Sequence, residues 1–395
     1  MKKSSKEILI YGWRNLNHSF ALVNQNQLAA LSKIKDIKLN HYDAPFYNPS
    51  WINNLNKSES NENINNTIKN LDSLNNLKDI DFIYSITYPF NLIKNNEHID
   101  KRLAMFVVTE FGLSPSDFGN SSVDPKSYID GDNLIITPSN WSRNKIIEAG
   151  FPEKKVFLVP HGVNNNDFYP ESLESIQQVR AANSLLPDNY VFLNLGAMTW
   201  NKGVDLLLEA FFVLRQKYDH IRLILKDQSA LYGISAKNSI ELFLQEKSDQ
   251  DREMMSKSII VLSSNINTQF LRIIYNIADC YVSPYRAEGF NLTVLEAMAC
   301  GTSIVVTEGG ATDDFCNEMT IGKISSDLVR NDLLPHLAGK LYNNNSFHLS
   351  PRLDSLINEM DLKINSPLPL RKIVPVACAE FSWDSAVSNL MNVMN

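Results

Sequence analysis

A series of short apolar runs constrains this chain more than any other feature. In the first half they are Ile8-Leu9-Ile10-Tyr11, Asp81-Phe82-Ile83-Tyr84, Met105-Phe106-Val107-Val108, Leu134-Ile135-Ile136 and Val156-Phe157-Leu158-Val159. In the second half they are Val191-Phe192-Leu193-Asn194-Leu195, Arg222-Leu223-Ile224-Leu225, Ile259-Ile260-Val261-Leu262, Cys280-Tyr281-Val282 and Ser303-Ile304-Val305-Val306. Consecutive apolar residues, many of them β-branched, suit strands buried on both faces, as in a parallel sheet. Each run is followed by a longer helical pattern, so the chain reads as α/β and doubly wound. Ser139 stands where a cap should, before a helix over 140–149 that Gly150 stops. Residues 203–217 carry Val204, Leu207, Leu208, Phe211 and Leu214 at helical spacing, an amphipathic stripe.

The strand series restarts after a polar region, 164–189, which contains Pro170 and Pro187 and few apolar residues. It is expected to connect two Rossmann-like domains, 1–175 and 185–378. The region 53–76 is rich in Asn and Ser, with Leu55, Ile64, Ile68, Leu71 and Leu74 interspersed, and reads as a polar surface helix with loops. There is no internal tandem repeat.

Composition sets the outer limits. The 395 residues allow about two or three domains. With 44% hydrophobic and 10% aromatic residues, the chain has the material for ordinary cores. Its 37 Lys and Arg against 44 Asp and Glu leave a net charge of −7, which argues against nucleic-acid binding. Cys280, Cys300, Cys316 and Cys378 form no C-x-x-C pair, so a reducing compartment is the simpler expectation. The basic start, Met1 to Lys6, lacks a signal peptide's apolar core. No stretch approaches the ~18 uninterrupted apolar residues of a membrane span. A soluble, cytoplasmic, multidomain protein is expected.

The most informative segment is 279–301. It reads as a strand, a polar turn opened by Pro284, and a helix. Gly289 lets the backbone approach a ligand closely. Asn291 can cap the helix, and the amides of Phe290, Asn291 and Leu292 would then make an anion site at the positive end of its dipole. Glu288 stands outside the strand's carboxyl end, where open α/β sheets bind ligands. Glu296 lies eight positions later, about two turns along. Two Glu at that spacing arise often by chance, and on spacing alone Glu296 reads as a solvated helix residue. The strand–turn–helix context is what gives the pair meaning.

With that context the segment resembles the E-x7-E signature of the family 4 retaining glycosyltransferases, sugar-nucleotide enzymes with the GT-B fold. Other motifs share the likeness in order. They are Pro138-Ser139 before a helix and Gly150; Val159-Pro160-His161-Gly162-Val163; Leu195-Gly196; Asn201-Lys202-Gly203-Val204-Asp205; Ala210-Phe211; Thr307-Glu308-Gly309-Gly310; and Phe381-Ser382-Trp383 before a final helix. The resemblance implies two Rossmann-like domains whose parallel sheets face a central cleft, with 381–395 crossing back onto the first domain. It implies a donor site in the second domain. There Glu288 faces the sugar, Gly289 to Leu292 hold sugar hydroxyls or the diphosphate, and Glu296 accepts hydrogen bonds from the ribose. Lys202 neutralises the diphosphate as the glycosidic bond breaks. The co-substrate would be a UDP-, GDP- or similar sugar nucleotide. In such a mechanism the donor's own phosphate oxygen takes the acceptor's proton, so no general base is required.

The sequence departs from the family at one place. An Arg usually follows the Gly that ends the first donor-domain strand, but Ala197 follows Gly196 here. Lys226, at the carboxyl end of its own run, is a candidate replacement cation, or else a surface residue beside Asp227. In the acceptor-side domain the loop after Gly12 contains His18, either a loop acid/base or acceptor contact or part of a capping neighbourhood with Asn17 and Ser19. Glu110 is a candidate acceptor contact. His161, in the turn after Pro160, reads as structural or cleft-lining rather than as a base.

Three D-x-D patterns, at Asp79, Asp130 and Asp249, read as turns or solvated faces rather than metal ligands. No His/Cys cluster suggests zinc, and no metal or cofactor is expected beyond the sugar nucleotide. Neither a G-x-S-x-G elbow nor a Walker phosphate loop is present. Other readings are a GT-B epimerase, a phosphorylase (which would need a pyridoxal-phosphate lysine context) and a non-catalytic nucleotide-sugar-binding partner protein. Lys94 and Lys101-Arg102 are the only local charges that suggest peripheral membrane contact.

Overall fold

A computed structural model describes residues 6–54, 68, 71, 80–90, 102–119, 124–129, 131–317, 320–365 and 377–394. The chain divides into two compact units. The first comprises 1–162, 330–347 and 381–395, and the second 163–329 and 348–380.

The first unit is built on six parallel strands: β1 (Lys6–Gly12), β2 (Ile37–Asp43), β3 (Phe82–Ile86), β4 (Arg102–Phe106), β5 (Leu134–Thr137) and β6 (Val156–Leu158). Their order is β2-β1-β3-β4-β5-β6. Every residue of β3 and β5 is buried, as strands covered on both faces require. β2 lies at the edge and exposes Lys38, Tyr42 and Asp43, so its apolar content is too thin to stand out as a run. The helix Asn140–Glu148 starts where Ser139 Oγ accepts from Ser142 N at 3.1 Å. It ends before Gly150, whose φ is +94°. The helix Trp383–Met394 packs on the helix Ser19–Leu31, and Trp383 is buried against the ring of His161.

The second unit has six more parallel strands: β7 (Tyr190–Gly196), β8 (Ile221–Asp227), β9 (Ile259–Leu262), β10 (Cys280–Ser283), β11 (Ser303–Thr307) and β12 (Gly322–Ile324). Their order is β12-β11-β10-β7-β8-β9. The helix Val204–Lys217 buries Val204, Leu207, Leu208, Ala210, Phe211 and Leu214. That stripe packs on Phe192, Leu223, Leu225, Cys280, Val282 and Val305, which share one face of the sheet. The polar region before β7 is more ordered than its composition suggests. It holds a helix, Leu173–Ala182, capped by Ser172, with Ile176 its one buried residue. Arg180 fixes it by donating to Asn189 O at 2.6 Å and Asp279 Oδ2 at 2.9 Å.

The helix expected within 53–76 lies mostly outside the described residues, as do Lys94, Lys101, Asp79 and Asp130. Of the remaining D-x-D residues, Asp81 accepts from Glu7 N at 2.8 Å, and Asp249 and Asp251 occupy the first turn of the helix Asp249–Ser256.

Candidate active site

The second sheet reverses its order at β7. β8 and β9 extend to one side, β10, β11 and β12 to the other. In open parallel sheets, ligands bind outside the carboxyl ends of the strands at such a reversal. Two loops leave there, 197–203 after β7 and 284–291 after β10.

The two loops are tied by backbone. Arg286 N donates to Asn201 O at 2.7 Å and Ala287 N to the same oxygen at 3.4 Å. Gly203 has φ +71°, and a Cβ there would sit 1.9 Å from Pro284 O. A glycine is needed at this position for both reasons. The consequence is chemical: Lys202 Nζ lies 2.6 Å from Glu288 Oε1, with side chains 23% and 11% exposed. Residues far apart in sequence thus form a largely desolvated ion pair at the point of strand reversal.

The helix Leu292–Ala299 starts directly after this loop. Asn291 stands at its cap position, but with φ +76° its side chain turns away from the helix amides. Its Nδ2 donates to Ser283 Oγ at 3.0 Å, and its Oδ1 accepts from Thr293 Oγ1 at 2.9 Å. Side-chain capping by Asn291 is therefore not what starts this helix. Asn291 instead ties the loop to the end of β10. Gly289 and Phe290 are buried, and the Phe290 ring centroid is 5.1 Å from that of Phe315. Leu292 is half-buried. Two turns on, Glu296 Oε2 accepts from Tyr275 Oη at 2.8 Å. Burial pushes the Glu296 carboxyl up to about 7, the Tyr275 bond pulling the other way and Asp167 adding to the rise.

Gly196 ends β7 with φ +146°, and a Cβ there would meet open space. Lys226 is 6% exposed and donates to Asp227 O; burial lowers its pKa while Asp227 raises it. In register Lys226 pairs with Leu195, and Leu193 pairs with Tyr281, so these side chains share one sheet face. Tyr281 Oη is 2.8 Å from Thr293 Oγ1, in the first turn of the helix that carries Glu296. Asp227 faces the other way, its carboxylate accepting from Ser229, Ala236 and Ser263. Lys226 is thus a buried cation at the carboxyl end of a strand beside β7, on the Glu296 side of the sheet.

The candidates in the first unit are placed differently. Gly12 packs against Asn24, whose Nδ2 would lie 2.9 Å from a Cβ there. His18 is itself the cap of the helix Ser19–Leu31, its Nδ1 accepting from Phe20 N at 3.2 Å. Its ring sits among Trp13, Phe20 and Trp51, and burial lowers its pKa to about 4. Glu110 is half-buried, and its carbonyl accepts from Trp141 Nε1 at 2.9 Å. His161 is buried between the rings of Phe106 and Trp383, with its pKa lowered to about 3.

The structure brings in residues that sequence reasoning missed. Tyr275 holds Glu296. Arg286 and Asp205, 81 positions apart, form a two-pronged bond between the loops at 2.7 and 2.6 Å. Both stand in motifs readable along the chain, but their pairing carries no local signal, because only the fold brings them together.

Residues 175–322 match the family of glycosyl transferases group 1. Over 179 residues the chain is 31% identical to mannosylfructose-phosphate synthase of Agrobacterium fabrum, covering 45% of this chain and 38% of that one. Over 217 residues it is 26% identical to lipopolysaccharide 1,2-N-acetylglucosaminetransferase of Salmonella typhimurium, covering 53% and 55%. The match thus spans between about two fifths and about half of these relatives' length. The fold is shared more widely. A glycosyltransferase from Rickettsia africae aligns with TM-score 0.64 at 14% identity, covering 99% of this chain and 98% of that one. HepE from Anabaena, solved with UDP and glucose, aligns with TM-score 0.58 at 14% identity, covering 98% of both. The fold is therefore that of the GT-B glycosyltransferases, with two Rossmann-like units, and the second unit carries the group 1 sequence match.

Proposed function

We propose that this chain is a retaining glycosyltransferase that moves a sugar from a nucleotide-diphosphate sugar to an acceptor hydroxyl. The observation that carries the reading is the Lys202–Glu288 pair at the reversal of the second sheet. In this mechanism the bond between the sugar's anomeric carbon and the phosphate oxygen breaks. The acceptor oxygen bonds to that carbon on the same face, and the acceptor proton passes to the departing phosphate. Negative charge grows on the phosphate as the bond breaks, and a fixed ammonium there stabilises the transition state more than the ground state.

Lys202 supplies that ammonium, and Lys226 the second cation that Ala197 does not. Glu288, Gly289 and the amides of Phe290, Asn291 and Leu292 hold the sugar and diphosphate. Glu296 accepts from the ribose, and Gly196 lets the diphosphate approach the backbone. Gly12, His18, Glu110 and His161 belong to the acceptor side, where the three last-named enter as shaping residues rather than as a base. Charge neutralisation is assigned to Lys202 and Lys226.

A screen of UDP-, GDP- and ADP-sugars for thermal stabilisation tests the reading, because a ligand that binds only the folded state raises its apparent stability with concentration. One nucleotide series is expected to raise the melting temperature, and Lys202→Ala is expected to weaken the effect. No shift with any of them would set the reading aside.

A further inference from the structure

Arg286 is the arginine nearest to the Lys202–Glu288 pair in sequence, two residues before Glu288, and it sits at the loop that the proposed transfer uses. It is not arranged as a phosphate ligand. Its Nη1 donates to Trp200 O and to Asp205 Oδ1, both at 2.7 Å, and its Nη2 to Asp205 Oδ2 at 2.6 Å. Its guanidinium lies over the Trp200 ring, 4.6 Å from the centroid. Both terminal nitrogens are therefore committed to the 200–205 stretch. The Arg286 side chain is 10% exposed, while Asp205 is 55% exposed, so the fork is shielded from one side only. A two-pronged guanidinium–carboxylate bond fixes angle as well as distance, which a lysine in its place does not.

The position of this fork gives it a purpose. Asp205 lies three residues after Lys202, and Arg286 two before Glu288. The fork, the Asn201 backbone bonds and the Gly203–Pro284 contact bracket the ion pair from both sides in sequence. We infer that Arg286 and Asp205 are positioning residues that set the distance between Lys202 and Glu288 for the reaction. The inference rests on the transferase reading of this site.

The test has two arms on the full chain, with Arg286→Lys and, separately, Asp205→Asn. In the first arm crystal structures of both variants are compared with the parent. The expected result is a Lys202 Nζ–Glu288 Oε1 separation beyond about 4 Å, the limit of an ion pair. A pair still at 2.6 Å in both variants overturns the inference.

In the second arm turnover is measured with UDP-glucose, GDP-mannose and ADP-glucose, alone and in a Lys202→Ala background. Each fork variant is expected to lower kcat by about ten-fold or more in the parent, with a smaller change in KM, and to cost little further once Lys202 is gone. Equal losses in both backgrounds, or unchanged kcat in the parent, would show a structural role only. If the parent turns over none of the three donors and binds none of them, the transferase reading falls, while the first arm still decides whether the fork holds the pair.

Discussion

At the scale of single residues, the account rests on charges placed where charge develops. Glu288→Gln keeps the size and one hydrogen-bonding oxygen but removes the negative partner of Lys202. Transfer is expected to be lost while the far-ultraviolet spectrum stays near that of the parent, with some fall in melting temperature from the unpaired Lys202; full activity would remove Glu288 from the site. Lys226→Ala is expected to lower kcat by about ten-fold or more, each factor of ten being about 1.4 kcal/mol. Unchanged kinetics would return Lys226 to a purely structural place. Glu296 gives a prediction with a sign. Its folded-state pKa of about 7 lies above the usual value of 4.5 for the unfolded chain. Between these values the folded state binds the extra proton, so the group's contribution is most favourable below 4.5 and is lost as pH rises through 7. The melting temperature of the parent is therefore expected to fall relative to Glu296→Gln between pH 5 and pH 8. Parallel curves would contradict it.

At the scale of elements, close approach of two loops does the work. Gly203→Ala forces a Cβ to within 1.9 Å of Pro284 O on a left-handed backbone, so the loops must separate. Backbone strain alone costs about 1–3 kcal/mol, and the clash adds to it. Thermal unfolding is expected to show that loss, together with weakened nucleotide binding. An unchanged melting temperature would contradict the contact.

The strands show what a sequence can and cannot announce. Ile8-Leu9-Ile10 and Leu134-Ile135-Ile136 are legible because burial on both faces demands unbroken apolar runs. β2 is not, because an edge strand mixes Leu39 with Lys38, Asn40 and Asp43. β12 is only three residues long and begins with Gly322, whose Cβ would meet Glu359 and Val305. The site divides in the same way. Glu288, Glu296 and Lys202 stand in local motifs that can be read along the chain. The Arg286–Asp205 fork and the Tyr275–Glu296 bond need the folded sheet to bring distant residues together, and no spacing rule finds them.

At the scale of the whole molecule, each unit is a parallel sheet with its own core. In the second unit the helix Val204–Lys217 joins core and site, since its buried stripe ends at Gly203 and Lys202. Phe211→Ala would leave a cavity at that core and is expected to cost about 3–5 kcal/mol in chemical denaturation. Loss below about 1 kcal/mol would mean the core is not packed as described. In the proposed reading a net charge of −7 is compatible with a diphosphate ligand, because that reading needs few and local cations, Lys202 and Lys226. Among the described residues no helix is long and apolar enough to cross a membrane.

The central claim is transfer from a nucleotide sugar with retention at the anomeric carbon. The most direct measurement is proton NMR of the anomeric signal while the chain acts on α-configured UDP-glucose, GDP-mannose or ADP-glucose, with water or an added sugar as acceptor. The account predicts nucleotide release with an α-configured first product, absent in Glu288→Gln. A β-configured first product, or no release from any of the three donors, would contradict it.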